Sequence, residues 1–332
     1  MRTIFRIAAL LCLSILARQP VAHAQQSGKV WRVGVMATLS SVPLMRTVFF
    51  APLIMALRDL GYEEGRNIVF ELRSAEGRVD RLPDIAAELV ALPVDVFISP
   101  GCGAPLEVAM HATKTIPIVV PACEGDMVEM GAAASIAHPG GNVTGLSTIN
   151  PELAAKRLEL LKEIVPAASH VAVIWDPKVG AFLGDWRELR SRASEKGITV
   201  HPMVAHVPAD LDTAFTLMAG ERIDAVMHFP DILTYNVPDR LAELAAEHKL
   251  PLMSGFHEAT RAGGLISYGP NVPNLERQAA VYVDKIFKGA KPADLPIQLP
   301  AKFEMAINLK TAKMLGIEVP PALLIRADEV IE

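Results

Sequence analysis

The chain has 332 residues and three cysteines, carries a formal charge of −5, and is 51% hydrophobic, 21% charged and 5% aromatic. That length exceeds one ordinary core and suits two lobes of about 150 residues each. The mixture excludes disorder, a collagen-like fibre and a disulfide miniprotein, and its acidic balance speaks against a nucleic-acid partner.

The first 24 residues have the form of an export signal. Arg2 and Arg6 make a basic start, 7–17 an apolar run and Ala22-His23-Ala24 a small-residue cleavage site. The run is too short for a membrane span, which needs about 20 residues. Cys12 lies inside it after two leucines, a poor context for lipoprotein processing. Cleavage near Ala24 removes Arg2, Arg6 and Arg18 and no acid, moving the formal charge from −5 to −8. The expected location is the periplasm.

From Val30 onward apolar runs alternate with amphipathic ones. Strands are expected at 30–37, 67–73, 94–99 and 116–121, with helices at 49–60, 82–92 and 106–113. Gly140-Gly141-Asn142 reads as a breaker. The alternation then restarts with a helix at 151–164, strands at 170–175, 198–204, 225–229 and 250–254, and helices at 186–196, 211–219 and 239–248. A helix at 275–288 and a strand-helix piece at 303–316 close the chain. Apolar strands separated by helices imply an α/β fold with two doubly wound parallel-sheet lobes. The closing segments complete those lobes, so the chain crosses between them more than once, making a multi-crossover hinge.

Four stretches carry a family resemblance: Gly61-Tyr62-Glu63-Glu64-Gly65-Arg66-Asn67, the run from Ala137 to Ser147 (AHPGGNVTGLS), Lys156 to Glu163 (KRLELLKE) and Ile307 to Ala312 (INLKTA). Together they resemble the ABC-transporter substrate-binding proteins of the tryptophan/tyrosine-binding type. The resemblance implies a type I periplasmic-binding fold with crossovers near Gly145, Ser267 and Phe303. Lobe 1 would then comprise residues 30–145 and 268–302, and lobe 2 residues 146–267 and 303–332. It also implies closure on a small molecule, an amino acid or an aromatic metabolite, and delivery to an ABC permease by a monomer that needs no cofactor.

In open parallel sheets, ligands sit beyond the carboxyl ends of the strands, where loops meet helix N-termini. On that rule Thr38 and Ser40 after the first strand are candidates for a ligand carboxylate, or simple helix caps. Gly101, Cys102, Gly103 and Ala104 follow the third strand, where glycine permits close backbone approach or a tight turn. Related proteins often have Gly-Thr-Pro in this loop, and the missing hydroxyl weakens a standard carboxylate contact. Cys123 and Asp126 follow the fourth strand, the acid as a cation contact or a cap. In the second lobe the candidates are Trp175, Asp176, Asp231, Phe256 and His257. Rings there stack on planar ligands and a carboxylate pairs with an ammonium. Trp175 also fits an ordinary core. Cys102 and Cys123 are candidates for a disulfide between neighbouring loops, with two free buried thiols as the alternative.

No metal-binding or nucleophile-elbow motif occurs. A two-lobed racemase would place one cysteine in each lobe as acid and base, whereas both mature cysteines fall in the first. A carrier is therefore expected in preference to an enzyme. A sensing module without transport has the same sequence features.

Overall fold

The computed structural model describes residues 28–148, 152–177 and 182–332, and Trp31–Glu332 forms one compact unit. The leader expected at 1–24, with Cys12, and Pro151 at the start of the expected helix lie outside the described residues.

Five strands build the first sheet: β1 (Trp31–Ala37), β2 (Ile68–Ser74), β3 (Val96–Ile98), β4 (Ile118–Cys123) and β5 (Val143–Ser147). Their order is β2-β1-β3-β4-β5, and every neighbouring pair is parallel. Three helices connect them: α1 (Ala51–Asp59, after a helical lead-in over 42–49), α2 (Leu82–Ala91) and α3 (Ala104–Ala112). Alternation along β1 feeds both faces. Val33 and Val35 pack with Leu53 and Leu57 of α1, while Met36 packs with Leu82 and Leu89 of α2. Helix α2 ends before Leu92, which Pro93 forces into an extended conformation (φ −77°, ψ 146°).

The breaker at 140–142 is followed at once by β5, a strand that pattern reasoning did not separate from the loop. Asn142 stops the preceding segment by donating its side-chain amide to the carbonyls of Thr113 (3.2 Å) and Ile116 (2.8 Å). Gly145 then passes so close to β4 that a Cβ would lie 2.1 Å from the Val120 carbonyl oxygen, with φ at +146°.

The second sheet contains β6 (His170–Trp175), β7 (Thr199–Val204), β8 (Ala225–His228), β9 (Leu252–Ser254), β10 (Ile266–Gly269), β11 (Glu304–Asn308) and β12 (Glu329–Ile331). It is ordered β12-β11-β10-β9-β8-β6-β7. Around it lie α4 (Glu152–Ile164), α5 (Phe182–Glu195), α6 (Asp210–Gly220), α7 (Ile232–Asn236), α8 (Pro238–Glu247) and α9 (His257–Arg261), followed by α10 (Val272–Phe287), α11 (Leu309–Leu315) and α12 (Pro321–Arg326). Val171 and Val173 of β6 face one core and Ala172 and Ile174 the other, so both faces are buried.

The chain order of the last elements explains one departure from an all-parallel sheet. β10 leaves the second sheet and leads into α10, which packs Leu275, Ala279 and Val283 into the core beside α1 in the first lobe. Gln298 then pairs with β5, through Gln298 N to Gly145 O (3.0 Å) and Ser147 N to Gln298 O (2.9 Å). β11 returns at the end where β10 departed, so it runs antiparallel to β10. Arg157 of α4 pins this junction by donating Nε to the Tyr268 carbonyl (2.7 Å). A Cβ on Gly269 would lie 2.0 Å from the Gly255 carbonyl oxygen, so the junction tolerates no side chain there.

Candidate functional site

In the first sheet the strand order reverses between β1 and β3, and in the second between β6 and β8. Such switch points leave a crevice at the carboxyl ends of the strands. One cavity, about 670 Å³ of atom-free space including its open mouth, is lined from both sheets. The first lobe contributes Thr38, Ser40, Phe49, Gly101 and Glu124. The second contributes Pro230, Asp231, Tyr235, Asn236 and Phe256, and α10 adds Val272 and Glu276.

On the first-lobe side, the loops after β3 and β4 are fastened together. Cys102 and Cys123 form a disulfide with Cα atoms 4.8 Å apart, closing a sequence separation of 21. The Glu124 carboxylate accepts the Cys102 backbone N–H (3.1 Å), and Ser99 Oγ donates to the Gly101 carbonyl (2.9 Å). A Cβ at Gly101 would lie 2.7 Å from Glu124 Oε2, so a side chain there displaces the Glu124 carboxylate from this position. Burial pushes the Glu124 carboxyl up to about 7.

On the second-lobe side, Asp231 is the N-cap of α7. Its Oδ1 accepts the Thr234 backbone N–H and hydroxyl, both at 2.8 Å, and Thr234 Oγ1 accepts the Asp231 N–H (3.2 Å). Sequence reasoning assigned this acid no structural role; the capping box supplies one. Burial, with Asp176 adding, raises its carboxyl to about 6. Phe256 is set by a buried chain. His228 Nδ1 donates to the Phe229 carbonyl (3.1 Å), its Nε2 accepts the Ser254 hydroxyl (2.8 Å), and Ser254 Oγ accepts the Phe256 N–H (2.9 Å). Burial lowers the His228 imidazole to about 4, which keeps it neutral and able to accept.

The two sides touch. Ser40 Oγ donates to Asn236 Oδ1, the Phe49 and Tyr235 rings meet at 5.7 Å, and Leu39 packs against the second lobe's core.

Of the expected positions, Thr38, Ser40, Gly101, Asp231 and Phe256 come together on this cavity. The others lie off its lining. Cys102 and Cys123 are turned into their disulfide, Gly103 (φ +98°) caps α3, and Ala104 begins that helix. Asp126 accepts the Val128 N–H (2.7 Å) and the Glu129 N–H (3.2 Å), closing a turn. Trp175 is core, stacked on Trp186 at 5.2 Å and edge-on to Phe229 at 6.0 Å. Asp176 accepts from His206 Nδ1 (2.7 Å), and His257 is buried at the start of α9.

Sequence reasoning missed Phe49, Glu124, Tyr235, Asn236 and Glu276. Glu124 was legible, since it directly follows β4 between two named candidates. Glu276 was not. It sits on a helix whose strand belongs to one sheet and whose packing belongs to the other.

Comparison with known proteins points one way. Residues 32–331 match the family model described as ABC transporter substrate binding protein. A curated relative, the tyrosine-binding protein of Clostridioides difficile, is 26% identical over 265 residues, covering 80% of this chain and 75% of that protein. Among solved structures, a conserved domain protein from Vibrio cholerae superposes with a TM-score of 0.82 at 28% identity, covering 91% of this chain and 100% of its own. An ABC domain from Streptococcus pneumonia in complex with L-Trp superposes with a TM-score of 0.80 at 24% identity, covering 91% and 99%, a likeness of fold.

Proposed function

Because the chain belongs to the ABC transporter substrate-binding protein family, we propose that it is an exported carrier. It closes two lobes on a small molecule, an amino acid or an aromatic metabolite, and hands it to an ABC permease. The observation that carries this is the cavity lined from both sheets at the carboxyl ends of their strands, with Ser40 and Asn236 joined across it. Such a site opens and shuts by rotation about the crossovers while each core stays intact.

The lobe division that accompanies this function is 30–145 with 268–302 and 146–267 with 303–332. Sheet membership and the packing of α10 on the first lobe support it. Residues 1–24 act as the cleaved leader to the periplasm, and N-terminal sequencing of exported protein should begin near Gln25. The functional unit is a monomer, which native mass measurement checks.

The racemase alternative needs a free thiol on each side of the cleft. Both mature cysteines sit in one lobe and are bonded to each other, which supports the carrier. The decisive measurement is small-angle scattering of the mature protein with and without a solute identified by thermal shift. At a hundredfold excess over its Kd such a solute adds about 2.7 kcal/mol of stability. The radius should fall on binding; a bound solute that leaves it unchanged removes the carrier function.

A further inference from the structure

We infer that Arg157 sets the orientation and specificity of the solute: it receives the solute's carboxylate in a side cavity at the hinge, away from Thr38 and Ser40. This deepens the carrier function and rests on it.

Three observations point there. The Arg157 side chain belongs to a residue only 2% exposed, and its Nη2 has no hydrogen-bond partner among the described residues. A buried charged donor without a partner is costly, and an entering anion removes the cost. Burial lowers the guanidinium to about 10, so it remains a cation at neutral pH.

The second is that the donor is already held in place. Nε donates to the Tyr268 carbonyl (2.7 Å), and Gly255 and Gly269 pack against Nη2, since a Cβ at either would lie 3.1 or 3.5 Å from it. A donor fixed before the ligand arrives loses little freedom on binding.

The third is position. Arg157 lines a cavity of about 400 Å³ of atom-free space, including its mouth, with Glu124 from the first lobe, Phe182 and Asp185 from the second, and Pro270 at the crossover. Glu124, Thr148, Pro230 and Phe256 line the larger cavity as well, so the two adjoin. A solute whose ring lies against Phe256 extends its acid end to Arg157 and touches both lobes, which favours closure. The titratable groups facing Arg157 are Asp185, Glu124, Tyr268 and the neutral His228. Burial raises Asp185 to about 6 and Glu124 to about 7, so both lose their charge as pH falls and leave Arg157 to the solute.

Calorimetry on the mature protein tests the inference with two acid and amide pairs: 3-(4-hydroxyphenyl)propionate with its primary amide, and L-tyrosine with L-tyrosinamide. At pH 6 the acid of a pair that binds should do so at least tenfold more tightly than its amide. In Arg157→Gln that preference should fall to about one, with the amide's own affinity within threefold of the original; a merely structural arginine would weaken acid and amide alike. Should the variant fail to fold, the unsubstituted protein still decides. Affinity for the propionate should drop at least threefold from pH 6 to pH 8, as Glu124 and Asp185 ionise around it, while affinity for its uncharged amide stays level.

An amide that binds as tightly as its acid overturns the assignment. So does a preference that survives Arg157→Gln, or a propionate affinity that is level from pH 6 to pH 8. If none of the four probes binds, the assignment also falls, whereas compaction with any other solute keeps the carrier function standing.

Discussion

Glu124 shows how a single side chain ties the architecture to a measurable titration. Its carboxyl moves from 4.5 to about 7 because it is buried, so the folded protein binds a proton that the unfolded chain has released. The resulting stabilisation is complete below about pH 4 and disappears as pH rises through about 7. The gap corresponds to about 3 kcal/mol at most. Asp231, raised to about 6, adds to the same slope. Glu124→Gln should therefore flatten the fall in Tm between pH 5 and pH 8, and thermal melts across that range check it. Asp231→Ala removes a capping box, so it should destabilise the apo protein by about 1 kcal/mol, measured by urea denaturation. An effect on folding accompanies any effect on binding at this position. Thr38, Ser40, Gly101, Asp231 and Phe256 were legible because each follows a recognisable strand. Trp175 followed one too, but its indole found a larger apolar partner in Trp186 and turned into the core.

Among the elements, β5 and its contacts carry the sharpest expectations. Gly145 has a left-handed φ of +146° and no room for a Cβ beside Val120. Gly145→Ala should therefore separate β4 from β5 and cost several kcal/mol, on the order of 3 to 5, seen as a large drop in the denaturation midpoint. The Cys102–Cys123 bond constrains a loop of sequence separation 21, which amounts to about 3 kcal/mol on the chain-entropy model. Unfolding mature protein without reductant should expose no reactive thiol, and Cys123→Ser should lower stability by that order. Apolar periodicity located most strands and long helices, since their buried stripes are written in the sequence. It missed β5, β10 and β12. These are short, and β10 and β12 occur beside Gly263-Gly264 or at the chain's end, where local pattern is weakest.

At the scale of the whole unit, the Ser40 to Asn236 hydrogen bond joins the two lobes directly. Removing it with Asn236→Ala should favour the open arrangement, giving a larger radius in scattering without solute and a weaker apparent affinity. The shift follows from the loss of one hydrogen bond, about 1 kcal/mol, or roughly a fivefold change in the closed population. An unchanged radius would show that Leu39 and the Phe49–Tyr235 contact hold the lobes together unaided. The family motifs made the two-lobe fold legible before any coordinate, because turns such as that at Asn142 require particular residues at particular positions.

By itself the sequence determined the α/β class, the two lobes and the strand ends where a ligand site belongs, because periodicity and turn chemistry are local properties of the chain. Only the tertiary structure decided which candidates share a cavity, that β11 runs antiparallel, and that Glu276 shares the cavity lining with Tyr235. Those outcomes depend on segments far apart in the chain meeting across crossovers, 111 residues for Arg157 and Tyr268 and 196 for Ser40 and Asn236, and nothing in a local pattern reports where a distant helix will pack.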